Sequence, residues 1–409
     1  MRKVTYLLSL FMIFVIPIEG LLRFPGVGTM AKGAGLAVAL VWLLTLLVTG
    51  HMRKPGTMQV LLILFVAWNA LSILWSANPD RTGNHVWTWI QLLAMSLMLW
   101  DIYTTRGAIL NGLQAYVLGA YVAVGSALSN YLSGRAFYTN YERFASGDSN
   151  PDGFGFIVAL GVPIAWYLAA SHNTGKGRGL WRFVNYAYIP VAFIGLALSG
   201  TRTALLASIV GMLFGVIMLT RVRLWIRIVI FLLLAASVIY LVPQVQSLKS
   251  FQRLGTTSSE LTEGDLNNRT NNWTEGIASF EAHPLLGVGG NMYRSVNSWD
   301  KVAHNSYLSV VVELGVVGLL LFLGILAVTF AAAWGQERLR DRIFWLTLLA
   351  VWGMGAFTLT WEYRKTTWLF LGLIVANAAI TKTRETIASR QPASIEADLL
   401  PATKGLSGD

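Results

Sequence analysis

Long apolar runs separated by short polar segments fill most of this sequence. Twelve of the runs approach the roughly 20 residues that an α-helix needs to cross a bilayer. They lie at about 4–18, 33–49, 58–75, 87–103, 108–131, 153–171, 184–199, 203–220, 224–243, 305–333, 343–361 and 366–380. The pattern therefore predicts an all-α integral membrane protein with about 12 transmembrane helices.

The polar segments divide the chain. We expect transmembrane helices 1–9 with short loops in residues 1–243, a large loop in 244–304, helices 10–12 in 305–381, and a disordered cytoplasmic tail in 382–409. In the large loop, Trp273, Ile277 and Phe280 recur at helical spacing and predict an amphipathic helix over 267–282. Arg269 lies one turn before Trp273, so its charge is expected to point toward the protein.

Composition and charge agree with a membrane protein. Hydrophobic residues make up 55% of the chain and charged residues 12%. Most of the 31 lysines and arginines fall in segments on the side of the N-terminus, which predicts that both termini are cytoplasmic and the large loop is outside. The net charge of +11 then reflects topology and gives no argument for nucleic acid as a partner. The absence of cysteine excludes disulfides and thiolate metal sites.

His304 lies where the large polar loop meets the next apolar run. The partial positive charge at a helix start disfavours the imidazolium ion, so the ring is expected to stay neutral, as a general base requires. The alternative is a histidine that only hydrogen-bonds a lipid headgroup or the loop. Glu313, nine residues on, faces the opposite side of the helix. We therefore expect Glu313 to be structural, paired with an unidentified donor.

Arg202 opens a predicted helix after a very short outer turn. Backbone N–H groups at a helix start attract anions, and an arginine fork binds phosphate oxygens in pairs, so this turn is a candidate diphosphate site. The alternative is that Arg202 only anchors the turn. We expect no metal, a helix-ending turn at His283 and a solvated loop around Glu142, Asp148 and Asp152. The sequence leaves open the roles of Arg135, Arg143, Arg294 and Arg364.

Three groups of residues together resemble the O-antigen ligase and polymerase superfamily of bacterial inner membranes. They are Ser-Gly-Thr-Arg202-Thr opening a span, Arg269…Trp273…His283-Pro-Leu-Leu-Gly-Val-Gly in the large loop, and His304-Asn-Ser-Tyr-Leu…Glu313-Leu-Gly…Gly318-Leu. The resemblance covers roughly residues 150–335. It implies a GT-C-like architecture with a partly helical periplasmic loop and an active site at the periplasmic face.

The resemblance further implies an O-antigen ligase that transfers a glycan from undecaprenyl diphosphate to a sugar hydroxyl of lipid A-core, completing lipopolysaccharide. No cofactor is expected. In the implied metal-independent, inverting displacement, Arg202 and Arg269 bind the diphosphate and His304 accepts or orients the hydroxyl proton.

Three alternatives remain open at this stage. A Wzy-type polymerase would use a second lipid-linked repeat as acceptor, and a protein O-oligosaccharyltransferase would modify serine or threonine. A polysaccharide or lipid-linked glycan transporter would break no bond. The scarcity of charges in the spans and the large outer loop favour an enzyme.

Overall fold

The structure is a computed structural model that describes residues 1–21, 23–24, 28–138, 142–171, 178–219 and 269–390. The α-helices in these ranges are α1 (Arg2–Val15), α2 (Met30–Thr49), α3 (Thr57–Leu71), α4 (Pro79–Ile102), α5 (Arg106–Leu132), α6 (Pro151–Ser171), α7 (Arg178–Ser199), α8 (Arg202–Leu219), α9 (Arg269–Ala282), α10 (Ser306–Trp334), α11 (Leu339–Thr358) and α12 (Lys365–Arg390). Strands β1 (Arg23–Phe24) and β2 (Gly28–Thr29) form one antiparallel pair, and β3 (Phe137–Tyr138) and β4 (Glu142–Arg143) form another.

Six of the described helices are long and apolar enough to cross a membrane. They are Met30–Thr49, Thr57–Leu74, Arg106–Leu132, Pro151–Ser171, Gly179–Ser199 and Ser306–Trp334. The predicted class, an all-α membrane protein, is supported by these helices. The count of twelve spans stays a prediction, because the span at 224–243 and the first part of the large loop, 244–268, lie outside the described residues.

Helix α6 lies at the centre of the bundle. It packs against α5, α7, α8 and α11, and nearly all of its side chains are buried. A helix that is apolar on every face is typical of a buried core or a membrane span. Its first turn, with Asp152, is the exception to this apolar character. The central helix thus brings one carboxylate to the end of the bundle where the outer loops meet.

Contacts between loops define two opposite ends. At the first end, Arg2 donates to the His51 carbonyl and Arg106 pairs with Asp341. At the second end, which we call the outer end, the Gly290 amide donates to the Ser72 hydroxyl. The segments 16–21, 72–78, 142–150, 283–305 and 359–364 all lie there. Many lysines and arginines of the short connections fall at the first end, as the topology prediction requires.

Helix α10 is interrupted near the outer end. Gly315 has φ 65° and ψ −168°, a conformation that strains any residue with a side chain. The carbonyl oxygens of Val312 and Glu313, left without helical partners, accept hydrogen bonds from the amides of Val288 and Gly289 at 3.0 and 2.9 Å. The glycine-containing loop after α9 therefore completes the interrupted helix.

The same loop supplies the donors that Glu313 needs. Its two carboxylate oxygens accept hydrogen bonds from the amides of Asn291 and Tyr293 at 2.8 and 3.1 Å. Backbone N–H groups are efficient partners for a buried carboxylate, because they bring no second side chain into the core. The donors expected to pair with a structural Glu313 are therefore these two backbone amides.

Two helical segments differ from the expectation. The buried face of α9 consists of Asn272 and Gly276, with Trp273 half-buried, whereas Ile277 is 47% exposed. Gly276 is buried because the Tyr293 ring packs against it. Helix α12 also continues to Arg390, into the segment where a disordered tail is expected from residue 382 onward. The rest of the predicted tail, 391–409, lies outside the described residues.

Candidate active site

A buried arginine joins three outer segments. Arg143, at the end of β4, is 3% exposed and donates from Nε to the Ser199 carbonyl at 2.7 Å. Its Nη2 donates to Asp152 Oδ1 at 2.5 Å and to the Thr201 hydroxyl at 2.9 Å. The Thr201 hydroxyl in turn lies 3.1 Å from the Pro151 carbonyl, to which it donates. These bonds fix the first turn of α6 beside the turn between α7 and α8.

Arg202 follows this junction directly. Gly200 has φ 58° and ends α7, with its amide donating to the Leu196 carbonyl at 3.1 Å. Arg202 then begins α8, as predicted, and its side chain is half-buried. The short turn therefore places a guanidinium at a helix start, next to Thr201 and its contacts with Asp152.

Arg269 is the first residue of α9, and its side chain is half-buried. Burial lowers the pKa of its guanidinium, and the nearby Asp152 carboxylate opposes that shift. The helix is held by Trp273, whose Nε1 donates to the Ala303 carbonyl at 2.7 Å, and by Asn272, whose Nδ2 donates to the Val302 carbonyl at 3.0 Å. The prediction that Arg269 points toward the protein is confirmed by this burial.

His304 is the residue immediately before Asn305, the N-cap of α10. Its φ is 50°, in the left-handed region that is uncommon for a residue with a side chain, and its amide donates to the Thr360 hydroxyl at 3.1 Å. Asn305 caps the helix by accepting from the amides of Tyr307 and Leu308 at 2.9 and 3.0 Å. The backbone around His304 is therefore fixed on both sides, and an uncommon conformation held in this way is typical of functional sites.

The surroundings of His304 lower the pKa of its imidazole to about 4. Burial is the largest cause, followed by the positive charge of Arg269, with smaller contributions of the same sign from Lys301 and Arg294. Asp152 acts in the opposite direction. The expected neutral imidazole therefore agrees with the structure, but burial and arginine charge are the causes found rather than the helix start alone.

The described residues thus place a neutral imidazole in a region where basic groups outnumber acidic ones. Such a region attracts an anion, and the imidazole can accept a proton from a hydroxyl beside it. Within the described ranges, no three histidine or acidic side chains lie close enough together to hold a metal ion. Of the three predicted site residues, Arg269 acts electrostatically on His304, and Arg202 follows Thr201, which contacts Asp152.

We call Arg143, Asp152, Arg202, Arg269 and His304 the outer cluster. From the sequence, no site role is predicted for the first two. Asp152 was expected in a solvated loop, but its side chain is 21% exposed and forms a salt bridge with Arg143. Arg143 itself was left without a role. The signal available was Asn150-Pro151-Asp152 before an apolar run, which is typical of a helix start. It indicates that Asp152 belongs to a helix of the bundle, at the same end as Arg202.

Comparison with known proteins gives this cluster a context. Residues 187–323, which include Arg202, Arg269 and His304, match the family model described as O-antigen ligase. The chain is also similar to the exopolysaccharide production protein ExoQ of Rhizobium meliloti (strain 1021), with 28% identity over 290 residues. That alignment covers 65% of this chain and 63% of ExoQ, less than two thirds of the relative.

These matches confirm the resemblance predicted from the motifs. They support a glycan-handling membrane protein of the O-antigen ligase and polymerase type.

Proposed function

We propose that this protein is a glycosyltransferase of the O-antigen ligase type, acting at the periplasmic face of a bacterial inner membrane. It transfers a glycan from undecaprenyl diphosphate to a sugar hydroxyl of lipid A-core. One observation supports this proposal most directly. The imidazole of His304 is neutral and lies among more basic than acidic groups, of which Arg269 has the largest effect. A diphosphate-linked donor is anionic and therefore complements the excess of positive charge in this region.

Arg202 and Arg269 bind the diphosphate of the donor. Each guanidinium offers a planar fork of N–H donors that matches two phosphate oxygens. As the bond between the anomeric carbon and the phosphate oxygen breaks, negative charge grows on the leaving group, and the two arginines stabilise it. The salt bridge between Arg143 and Asp152 holds the turn that precedes Arg202, and the Asp152 charge also acts on Arg269.

His304 acts on the acceptor. Its neutral imidazole accepts the proton of the attacking hydroxyl while the hydroxyl oxygen forms a bond to the anomeric carbon. Undecaprenyl diphosphate leaves from the opposite face, so the configuration at the anomeric carbon is inverted. The imidazolium then releases its proton to water. Binding of the anionic donor offsets the charge of Arg269 and so makes His304 a stronger base once the donor is present.

A second candidate is supported by the similarity to a protein named for exopolysaccharide production. In this alternative the acceptor is another lipid-linked glycan, and the product is a longer chain on the same lipid. The residues and the bond-breaking step are unchanged, so only the acceptor distinguishes the two activities.

The test is a transfer assay with purified protein in the presence of a chelator. Undecaprenyl-diphosphate glycan and lipopolysaccharide that lacks O-antigen are incubated together, and the products are resolved on a gel. We expect a shifted lipopolysaccharide band, and we expect His304→Ala to reduce its rate of formation by about 100-fold or more, the usual contribution of a general base. His283→Ala is the matched control, because this exposed histidine of the same loop should leave the rate unchanged.

Each other outcome has a distinct meaning. Lengthened lipid-linked glycan without a shifted lipopolysaccharide band would replace the ligase with the polymerase. Dependence on an added divalent cation would contradict the metal-independent mechanism. Unchanged substrates, with the folded protein intact, would contradict the enzyme proposal altogether.

A further inference from the structure

A groove lies between α2, one of the helices apolar enough to span a membrane, and α4. Its volume is about 420 Å³, within the size range of ligand-binding pockets. The α2 side of the groove contains Ala31, Gly35 and Ala39, which recur every four residues and therefore lie on one face of the helix. Because these residues are small, the helices do not fill the space between them.

The groove is lined mainly by apolar residues, with Thr88 and Gln91 of α4 as polar members. Met12, Met95 and Met98 line it and are buried, whereas Leu36 and Ile90 line it and are 50% and 41% exposed. Flexible methionine side chains adapt to a chain of variable shape. The groove is therefore suited to one hydrocarbon chain that enters from the surrounding lipid.

Polar and basic groups lie where the groove reaches the outer end. They are Thr29, Lys32, Tyr363 and Lys365. Lys365 pairs with Glu19 at 2.6 Å, whereas Lys32 lies in the first turn of α2 and is exposed. A lysine at the end of a mainly apolar groove complements the phosphate of an anionic lipid headgroup. The groove thus offers an apolar channel with a cationic mouth.

This mouth lies near His304 without belonging to the arginine cluster. Tyr363 is three residues from Thr360, whose hydroxyl accepts from the His304 amide, and three residues span at most about 11 Å. The residues that line the groove come from α1, α2, α4, the start of α12 and the segments before α2 and α12, and none comes from α6, α8 or α9. A chain in this groove therefore begins near His304, in a groove to which the helices of Arg202 and Arg269 contribute no lining residue.

We propose that the groove between α2 and α4 binds an acyl chain of the acceptor glycolipid, with Lys32 contacting a phosphate of its headgroup. The inference rests on the proposed function. In the donor, the hydrocarbon chain is joined directly to the diphosphate, so that chain must begin at Arg202 and Arg269. In the acceptor, sugars separate the acyl chains from the attacking hydroxyl, which fits a groove whose mouth lies to the side of His304.

The test fills the groove at Gly35. A Cβ built on Gly35 meets only the Met12 sulfur, at 3.8 Å, so Gly35→Phe has room to project into the space without displacing backbone. Leu40→Phe is the control, because Leu40 lies on the same helix, is 57% exposed and does not line the groove. Both variants are placed in nanodiscs without donor, and binding of lipopolysaccharide that lacks O-antigen is titrated directly.

We expect Gly35→Phe to weaken this binding by about tenfold, the effect of displacing roughly two methylene groups, with Leu40→Phe unchanged. Displacement of the bound glycolipid by phosphatidylglycerol at equal concentration would show a general lipid site and overturn the inference. Unchanged binding in Gly35→Phe, or weaker binding of undecaprenyl diphosphate instead, would overturn it too. The binding titration requires no transfer. If the ligase assay failed but Gly35→Phe still weakened glycolipid binding, only the proposed function would be rejected.

Discussion

The two ends of the helical bundle each contain an arginine–aspartate pair, and the pairs differ in what else contacts the carboxylate. At the first end, Asp341 accepts two hydrogen bonds from Arg106, at 2.5 and 3.1 Å, and one from the Tyr167 hydroxyl at 2.9 Å. At the outer end, Asp152 accepts from Arg143 at 2.5 Å and lies 3.3 Å from the Thr201 hydroxyl.

Each carboxylate has a second basic neighbour, Arg340 at 3.6 Å from Asp341 and Arg269 near Asp152, so the pairs differ in which other groups their charges reach. Asp341 is 4% exposed, and its partners join α5, α6 and α11 into one structural contact. The charge of Asp152 also acts on Arg269, the first residue of α9, and on His304, which lies just before α10. Asp341 therefore joins packed helices, whereas Asp152 also acts on two of the predicted site residues.

Among the tests of this difference between the two ends, we expect the largest effect, a loss of transfer rate, from Arg269→Lys. This substitution keeps the charge but removes the paired N–H donors, so transfer should fall by about 100-fold, the loss typical of one donor to a developing anion. The measurement is the initial rate of lipopolysaccharide modification at saturating donor. Arg135→Lys is the control, because Arg135 is an exposed arginine at the same end, outside the cluster. Full activity of Arg269→Lys would show that charge alone suffices.

The sequence predicts features that depend on local patterns better than features that depend on contacts between distant residues. Apolar runs predict most of the helices, because bilayer thickness and backbone hydrogen bonding leave few alternatives. The helix starts at Arg202 and Ser306 fall within a few residues of the predicted positions. The interruption at Gly315 was not predicted, because it depends on the loop residues Val288 and Gly289, which are distant in the sequence.

The site was predictable only in part for the same reason. Arg202, Arg269 and His304 stand out as single residues at helix starts or loop borders. The participation of Asp152 and Arg143 depends on how β4 lies against the turn after α7, a contact that no local pattern encodes. A polar loop in the sequence therefore looked solvated although tertiary contacts bury its arginine.

A smaller effect, on stability alone, is expected at the first end. Asp341→Ala leaves Arg106 without its carboxylate and should lower the free energy of unfolding by about 2 kcal/mol, less than for a fully buried pair because Arg106 is 24% exposed. The measurement is thermal unfolding in detergent, with Asp148→Ala, an exposed outer aspartate, as control. Transfer per folded molecule should be unchanged. A large loss of activity per folded molecule would mean that the first end also contributes to the site.

The smallest effect is a change in the pKa of His304. Its value of about 4 lies below the ordinary 6.5, so the imidazole stays neutral from neutral pH down to about pH 4 and becomes protonated only below it. Arg269→Gln removes a positive charge that lowers this pKa, so the protonation midpoint should rise, by about 1 pH unit. Asp152→Asn removes the opposing charge and should lower the midpoint.

Labelled histidine NMR measures this midpoint directly, because the chain has only five histidines and His304→Ala identifies the signal. Shifts of opposite sign in the two variants would show that Arg269 and Asp152 both act on the imidazole. If both variants moved the midpoint in the same direction, burial alone would control His304, and the outer aspartate would resemble the structural one at the first end. The sign of two small shifts therefore decides whether the outer cluster works as one electrostatic unit.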